Sequence, residues 1–328
     1  MSGSAYEMVR SRWGWTRRDD RALFRVTGDR AVDMLDGLAT NDLKTLPIGG
    51  ARWVLFLNPK GRIQADALAL RDGAGLWLDV PAVAADALEA HFRKYLPPRF
   101  ARAERLHDAA QLGVYGPAAA DAIAAATGAR APEEPLTFTE PEGGGSGEVA
   151  RLVVREDSLG LAGYRVIAPA GSLEPVVSAL AARAEASGGV EIDGTWLDVL
   201  RVEAGRPRYG SDVTEANLVQ ETGWEADAVS FTKGCYVGQE IVVRIHHRGH
   251  PNRHLRGLRF EGELPAPGTP LRVGAKAVGE VTSAVLSPRL GPIGLGYVRR
   301  EVEPGTDVTV GERDDGPAAH VVGLPFPS

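Results

Sequence analysis

RWVLFLN (52–58), RIQADALAL (62–70), GLWLDV (75–80), AADALEAHFRKYL (84–96) and RFARAERL (99–106) follow one another with only short breaks. Three apolar runs, a helical stretch and a last extended run give the order β-β-β-α-β. That order requires antiparallel pairing with the helix on one face, so residues 51–107 are predicted to form an α+β layer.

Before this segment, ALFRVTG (22–28) reads as a strand. Asp29 is a candidate cap, and Ala31, Met34, Leu35 and Leu38 recur at helical spacing. After it come a strand LGVYG (112–116), an Ala-rich helix (117–127) and a loop (129–149) rich in Pro, Glu and Gly. The strands RLVVRE and GYRVIAP and a helix over about 173–186 follow. DGTWLDVLRVEA (193–204) reads as an amphipathic helix, with Asp193 at its cap and Trp196, Leu197 and Leu200 on one face. Beyond residue 250 the runs LRGLRF, PLRV, AVGEVTSAVL, IGLGYV and DVTV are separated by Gly/Pro turns, which predicts a small β-barrel or sandwich.

The chain has 328 residues, 44% hydrophobic and 24% charged, with no apolar run of eighteen. That composition excludes a transmembrane helix, a disordered chain and a fibrous repeat, and predicts a soluble protein of two or three domains. Forty glycines and 22 prolines make it turn-rich. One cysteine, Cys235, excludes an intrachain disulfide and fits a reducing compartment. No apolar signal region stands in the first twenty residues, so a cytoplasmic location is expected. The net charge of −6 argues against nucleic acid as a direct ligand.

Residues 201–248 concentrate the chemistry: Arg201, Glu203, Arg206, Arg208, Asp212, Glu215, Glu221, Lys233, Cys235, Glu240 and Arg244. Gly and Pro punctuate the stretch, which predicts polar groups on loops, where sites usually lie. A solvated linker laced with ion pairs is the competing reading. His246, His250 and His254 have helical spacing, but Gly249 and Pro251 interrupt it, and no metal site is expected. The arginines of residues 241–260 suit a carboxylate, an RNA backbone or a solvated basic turn.

RVEAGRPRYGSDVTE followed by FTKGCYVGQE resembles the YgfZ-type folate-binding family, a branch of the superfamily of the glycine-cleavage T protein, an aminomethyltransferase. LFRVTGDRAVDMLDGLATNDL and LNPKGRIQADALAL resemble that family's N-terminal pattern, so the likeness spans nearly the whole chain. It implies an α+β fold of three domains around a central opening that holds tetrahydrofolate. The expected boundaries are a split folate-binding domain (1–50 and 108–245), a ferredoxin-like insert (51–107) and a C-terminal β-barrel (246–328).

The resemblance also implies roles. Glu203 takes the position of the carboxylate that pairs with the pterin; an ion pair with Arg201 or Arg206 is the alternative. Trp196 offers a face for the ring or packs in the core. Arg201, Lys233, Tyr236 and Arg244 complete the expected cofactor-binding set. Asp66 matches one of two adjacent aspartates that orient the folate nitrogen in aminomethyltransferases, but Ala65 fills the neighbouring place. Cys235 is the expected reactive group, its thiolate favoured by Lys233 and Arg244; a small buried hydrophobe is the alternative. The implied function is a tetrahydrofolate-binding accessory protein that supports iron–sulfur cluster assembly or repair and, indirectly, tRNA modification. Its partners would be iron–sulfur clients or assembly proteins. The alternative is a folate-dependent aminomethyltransferase of one-carbon metabolism.

Overall fold

The computed structural model describes residues 3–140, 152–313 and 315–326. The chain divides into two compact units. One comprises Met1–Leu57, Gln64–Gly194 and Ala228–Val237; the other comprises Asn58–Ile63, Thr195–Asp227 and Gly238–Ser328. No helix among the described residues is long and apolar enough to cross a membrane.

The first unit holds two sheets. The five-stranded sheet runs in the order Ala51–Leu57, Ile63–Asp72, Gly75–Pro81, Arg21–Thr27, Arg102–Arg105. The predicted β-β-β-α-β segment is present, with its helix at Ala85–Tyr95. Phe92 of that helix meets Phe24 and Phe56 of the sheet edge-to-face, at ring centroid distances of 5.7 and 5.2 Å. The sheet also takes a strand from outside 51–107: Arg21–Thr27 pairs along its whole length with Gly75–Pro81. Seven ladder positions outweigh chain proximity, so the boundary expected at residue 51 is not the one the sheet uses. Asp29 is not the helix cap; Arg30 is, with no side-chain bond, ahead of Ala31–Asp36.

The second sheet runs Val190–Glu191, Gly14–Arg17, Ala109–Tyr115, Gly163–Pro169, Leu152–Arg155, Phe138–Thr139. Helices Ala119–Thr127 and Ala170–Ser187 pack on it around Leu112, Val166, Ile123, Leu173 and Leu180. Arg151, at the start of the predicted RLVVRE, and residues 141–149 of the predicted loop lie outside the described residues.

The second unit is dominated by a closed six-stranded barrel, in the order Arg253–Phe260, Gly291–Arg299, Lys276–Ser287, Pro270–Val273, Asp307–Val310, Ala318–Val322. Leu258, Leu271, Val281, Val298 and Val321 fill its core. Closure removes the exposed edges an open sheet would carry. Helices Gly194–Glu203 and Gln239–Arg248 belong to the same unit. The polar stretch 201–248 is therefore partly helical. Gly238, at φ 82°, starts the second helix as its N-cap, a conformation that favours glycine. Gly61, at φ 70°, approaches the same helix so closely that a Cβ would stand 2.8 Å from that of Ile241.

Candidate functional site

In the first unit, residues 228–237 are stitched to the chain that follows helix Ala31–Asp36. Ser230 N donates to Thr40 O, Val237 N to Gly37 O, and Thr40 Oγ1 to Ala228 O. Lys233 is the centre of this seam. Its Nζ donates to the carbonyls of Asp36, Ala39 and Asn41 at 2.6, 2.7 and 2.9 Å, and lies 3.0 Å from the Asp36 carboxylate. The side chain is 1% exposed. Burial pushes its pKa down, and the bond to Asp36 opposes that shift.

An ammonium has three protons, and three carbonyls take them. The structure thus gives Lys233 a different task from the cofactor contact and thiolate support expected of it. Tyr236 is buried, with the Lys233 ammonium 5.4 Å from its ring centroid. Cys235, between them, is exposed, so the buried-hydrophobe reading of the thiol is set aside.

Asp66 lies in strand Ile63–Asp72 and is buried. Its Oδ2 stands 3.4 Å from Arg21 Nη1. Arg21 also donates to Asp79 Oδ1 and to the Asp79 carbonyl, both at 2.8 Å. From the other sheet, Arg165 approaches Asp79 at 3.1 Å and Glu156 at 3.5 Å, and Gln111 donates to Asp79 at 3.2 Å. Burial alone would raise the Asp79 carboxyl, but Arg165, Arg21 and Arg18 hold it below the usual carboxylate range. Asp66 is therefore a member of a buried ionic network joining two sheets.

In the second unit, helix Gly194–Glu203 directs Arg201 and Glu203 into buried positions. Arg201 donates to Asp198 at 2.6 Å, Asp212 at 2.7 Å and Ser283 Oγ at 2.8 Å. Asp212 in turn accepts from Thr282, Ser283 and the Arg208 main chain. Arg201 thus ties the helix to the barrel. Glu203 accepts a hydrogen bond from Ser287 Oγ and has Arg289 at 3.8 Å. Arg206 pairs with Asp227 at 2.7 Å and stacks on Trp224. Trp196 is half-buried and Arg244 exposed.

The three histidines do not converge. His246 meets Glu225 at 2.7 Å, His250 neighbours Arg300, and His254 lies on the barrel strand Arg253–Phe260. Sequence reasoning missed Asp36, Arg21, Asp79, Arg165, Ser283 and Ser287. Each acts through a partner remote in the chain, and no local spacing marks such a pairing.

Two family models match the chain: the GCVT N-terminal domain over residues 3–233, and the glycine cleavage T-protein C-terminal barrel domain over 253–327. The chain belongs to the glycine-cleavage T-protein family. Among curated relatives, the aminomethyltransferase of Saccharopolyspora erythraea is 31% identical over 316 residues, covering 92% of this chain and 83% of its own. That of Mycobacterium avium is 30% identical over 314 residues, covering 93% and 83%. A solved glycine cleavage system aminomethyltransferase T from Bartonella henselae is similar with a TM-score of 0.89 at 25% identity, covering 98% of this chain and 88% of that one. Within this T-protein family member, the cysteine-bearing GCYVGQEIVVRIHHRGHP falls between the two matched stretches.

Proposed function

We propose that this chain binds tetrahydrofolate and acts as an accessory factor for iron–sulfur enzymes, in the manner of the YgfZ-type branch, and through those enzymes supports tRNA modification. The observation that carries this reading is Cys235: an exposed thiol on a loop that Lys233 fastens. A second feature supports it. Asp66 is engaged with Arg21 in the buried network, and Ala65 stands where transferases carry a second aspartate. The donor set suits the cofactor. The pterin edge presents an N–H beside an amino group, and a buried carboxylate oriented by a hydroxyl, as Glu203 is, can accept both. When bound, tetrahydrofolate would supply a one-carbon-carrying nitrogen; the chain's own part is to bind and orient it through Glu203, with Trp196 and Arg244 as further candidate contacts.

Aminomethyl transfer is the second reading, favoured by the names of the relatives and by the Bartonella structure. An assay with a lipoylated carrier protein and tetrahydrofolate separates the two. The accessory reading expects saturable folate binding without steady methylene-folate production; sustained turnover would replace it with the transferase.

A further inference from the structure

Strand Arg102–Arg105 ends the five-stranded sheet. It pairs on its inner side with Arg21–Thr27 and has no strand on its outer side among the described residues. The opposite edge, Ala51–Leu57, is partly covered: Ala39 bridges to Phe56, and Thr40 N donates to Leu55 O. Leu106 N donates to Leu23 O, so the main chain at Leu106 faces into the sheet, and by alternation so does that of Glu104 and Arg102. The N–H and C=O groups of Ala103 and Arg105 therefore point outward. Such groups recruit a further strand. Along this edge a groove of about 860 Å³ runs against helix Ala85–Tyr95, with Phe92, Leu96, Ala101 and Ala103 in its apolar lining.

Arg102 and Glu104 lie two residues apart, hence on one face, and both are exposed. Neither side chain has a hydrogen bond or ion pair among the described residues. Arg25, directly opposite Glu104 on the inner side, is committed to Asp72 at 2.8 Å and to the Trp77 ring. Arg105, on the other face, pairs with Asp86 at 2.6 Å. An edge charged with one sign repels its own copy. This edge carries one charge of each sign, spaced by one strand repeat.

We propose that this strand pairs antiparallel with the same strand of a second copy, about a twofold axis through Ala103. Outward groups on alternate residues restrict a symmetric pair to registers centred on Arg102, Ala103 or Glu104. Centring on Arg102 or on Glu104 sets that residue opposite its own copy, and like charges directly opposed are destabilising. Centring on Ala103 makes it a hydrogen-bonded pair with its own copy and sets Arg102 opposite Glu104 of the second copy, once on each side of the axis. Those charged residues then occupy the non-hydrogen-bonded sites, where side chains approach most closely. The same patch serves both copies, as a twofold interface demands. Pairing of four-residue strands falls at the small end of interface sizes, below ~1,200 Å², so association is reversible and depends on concentration. The inference does not use the folate reading and survives its failure.

The test is sedimentation equilibrium of the full chain from low micromolar to submillimolar concentration, where the parent should associate to a dimer. Arg102→Glu and Glu104→Arg each put like charges into both cross-pairs, so each alone should self-associate about tenfold more weakly. Both side chains are exposed, so the fold should survive. Mixed together, the two variants should form a heterodimer, because every cross-pair between them is again of opposite sign. Ala103→Pro removes an outward N–H that the sheet itself does not use, so this variant should fold and stay monomeric. Three results would each overturn the assignment. They are a parent monomeric at the highest concentration, which would leave the edge to a strand of another protein, a reversal variant that dimerises as tightly as the parent, or a mixture without heterodimer.

Discussion

The three protons of the Lys233 ammonium point at three main-chain carbonyls, and the Asp36 carboxylate lies beside them. Lys233→Met keeps much of the stem but strips the buried Asp36 carboxylate of its nearest cation, leaving the Leu43 amide and Lys44 at 4.0 Å. Removing one partner of such a pair costs about 3–5 kcal/mol, so the urea unfolding midpoint should fall by the corresponding amount. Lys233→Arg should not restore it, because a planar fork cannot reach three convergent carbonyls; full stability in the arginine variant would remove the seam from the argument. Glu203 poses the complementary case. If its carboxylate receives the pterin, Glu203→Gln should weaken tetrahydrofolate binding by roughly 1–3 kcal/mol in calorimetry, and unchanged affinity would take Glu203 out of the pocket. Both residues were legible in the sequence as unusual, Lys233 as one of five lysines among 37 cationic residues. Their partners were not. Asp36 is 197 positions from Lys233, and Ser287 is 84 from Glu203.

Helix Ala85–Tyr95 carries a titratable group that its own packing disfavours. His91 is 6% exposed and sits among Phe56, Phe92 and Tyr95 at ring distances of 6.3, 6.2 and 4.8 Å, with Nε2 unpartnered among the described residues. Burial first, and Lys94 second, push its pKa down to about 4. Between that value and the ordinary ~6.5 the unfolded chain binds a proton that the folded helix refuses, so stability falls as pH drops through this window. The loss is on the order of 3 kcal/mol near the lower end. His91→Phe removes the proton but keeps an aromatic ring. Urea midpoints at about pH 7 and about pH 4.5 should therefore differ less in the variant than in the parent; equal differences would show that the helix opens freely to protons. At this scale the sequence spoke clearly wherever period decides structure, as in the strands and helix of 51–107. It was silent where pairing decides. Nothing local announces that Arg21–Thr27 joins the five-stranded sheet. The helix Gln239–Arg248 was masked by the His, Arg and Gly density at its end, although Ile241, Val242 and Ile245 give it an apolar side.

Across the whole molecule, membership in the T-protein family rests on the two matched domains, while the proposed specialisation rests on Cys235 and the loop that carries it. The proposed folate and thiol roles fall on different residues, Glu203 and Cys235, so mutation can separate them. A ligand that binds only the folded chain stabilises it by RT ln(1 + [L]/Kd), about 2.7 kcal/mol when tetrahydrofolate stands near a hundredfold excess over Kd. The parent should show this gain in chemical unfolding, and Glu203→Gln should need proportionally more ligand to reach it. Cys235→Ser should show the parent's gain, because the thiol is exposed and replacing it disturbs no packing, yet it should fail to support iron–sulfur enzymes in cells. Native alkylation of Cys235 should proceed without denaturant for the same reason. If Cys235→Ser instead supports those enzymes fully, the thiol has no part in the function. The remaining case would then be a folate protein whose activity must be sought in one-carbon transfer.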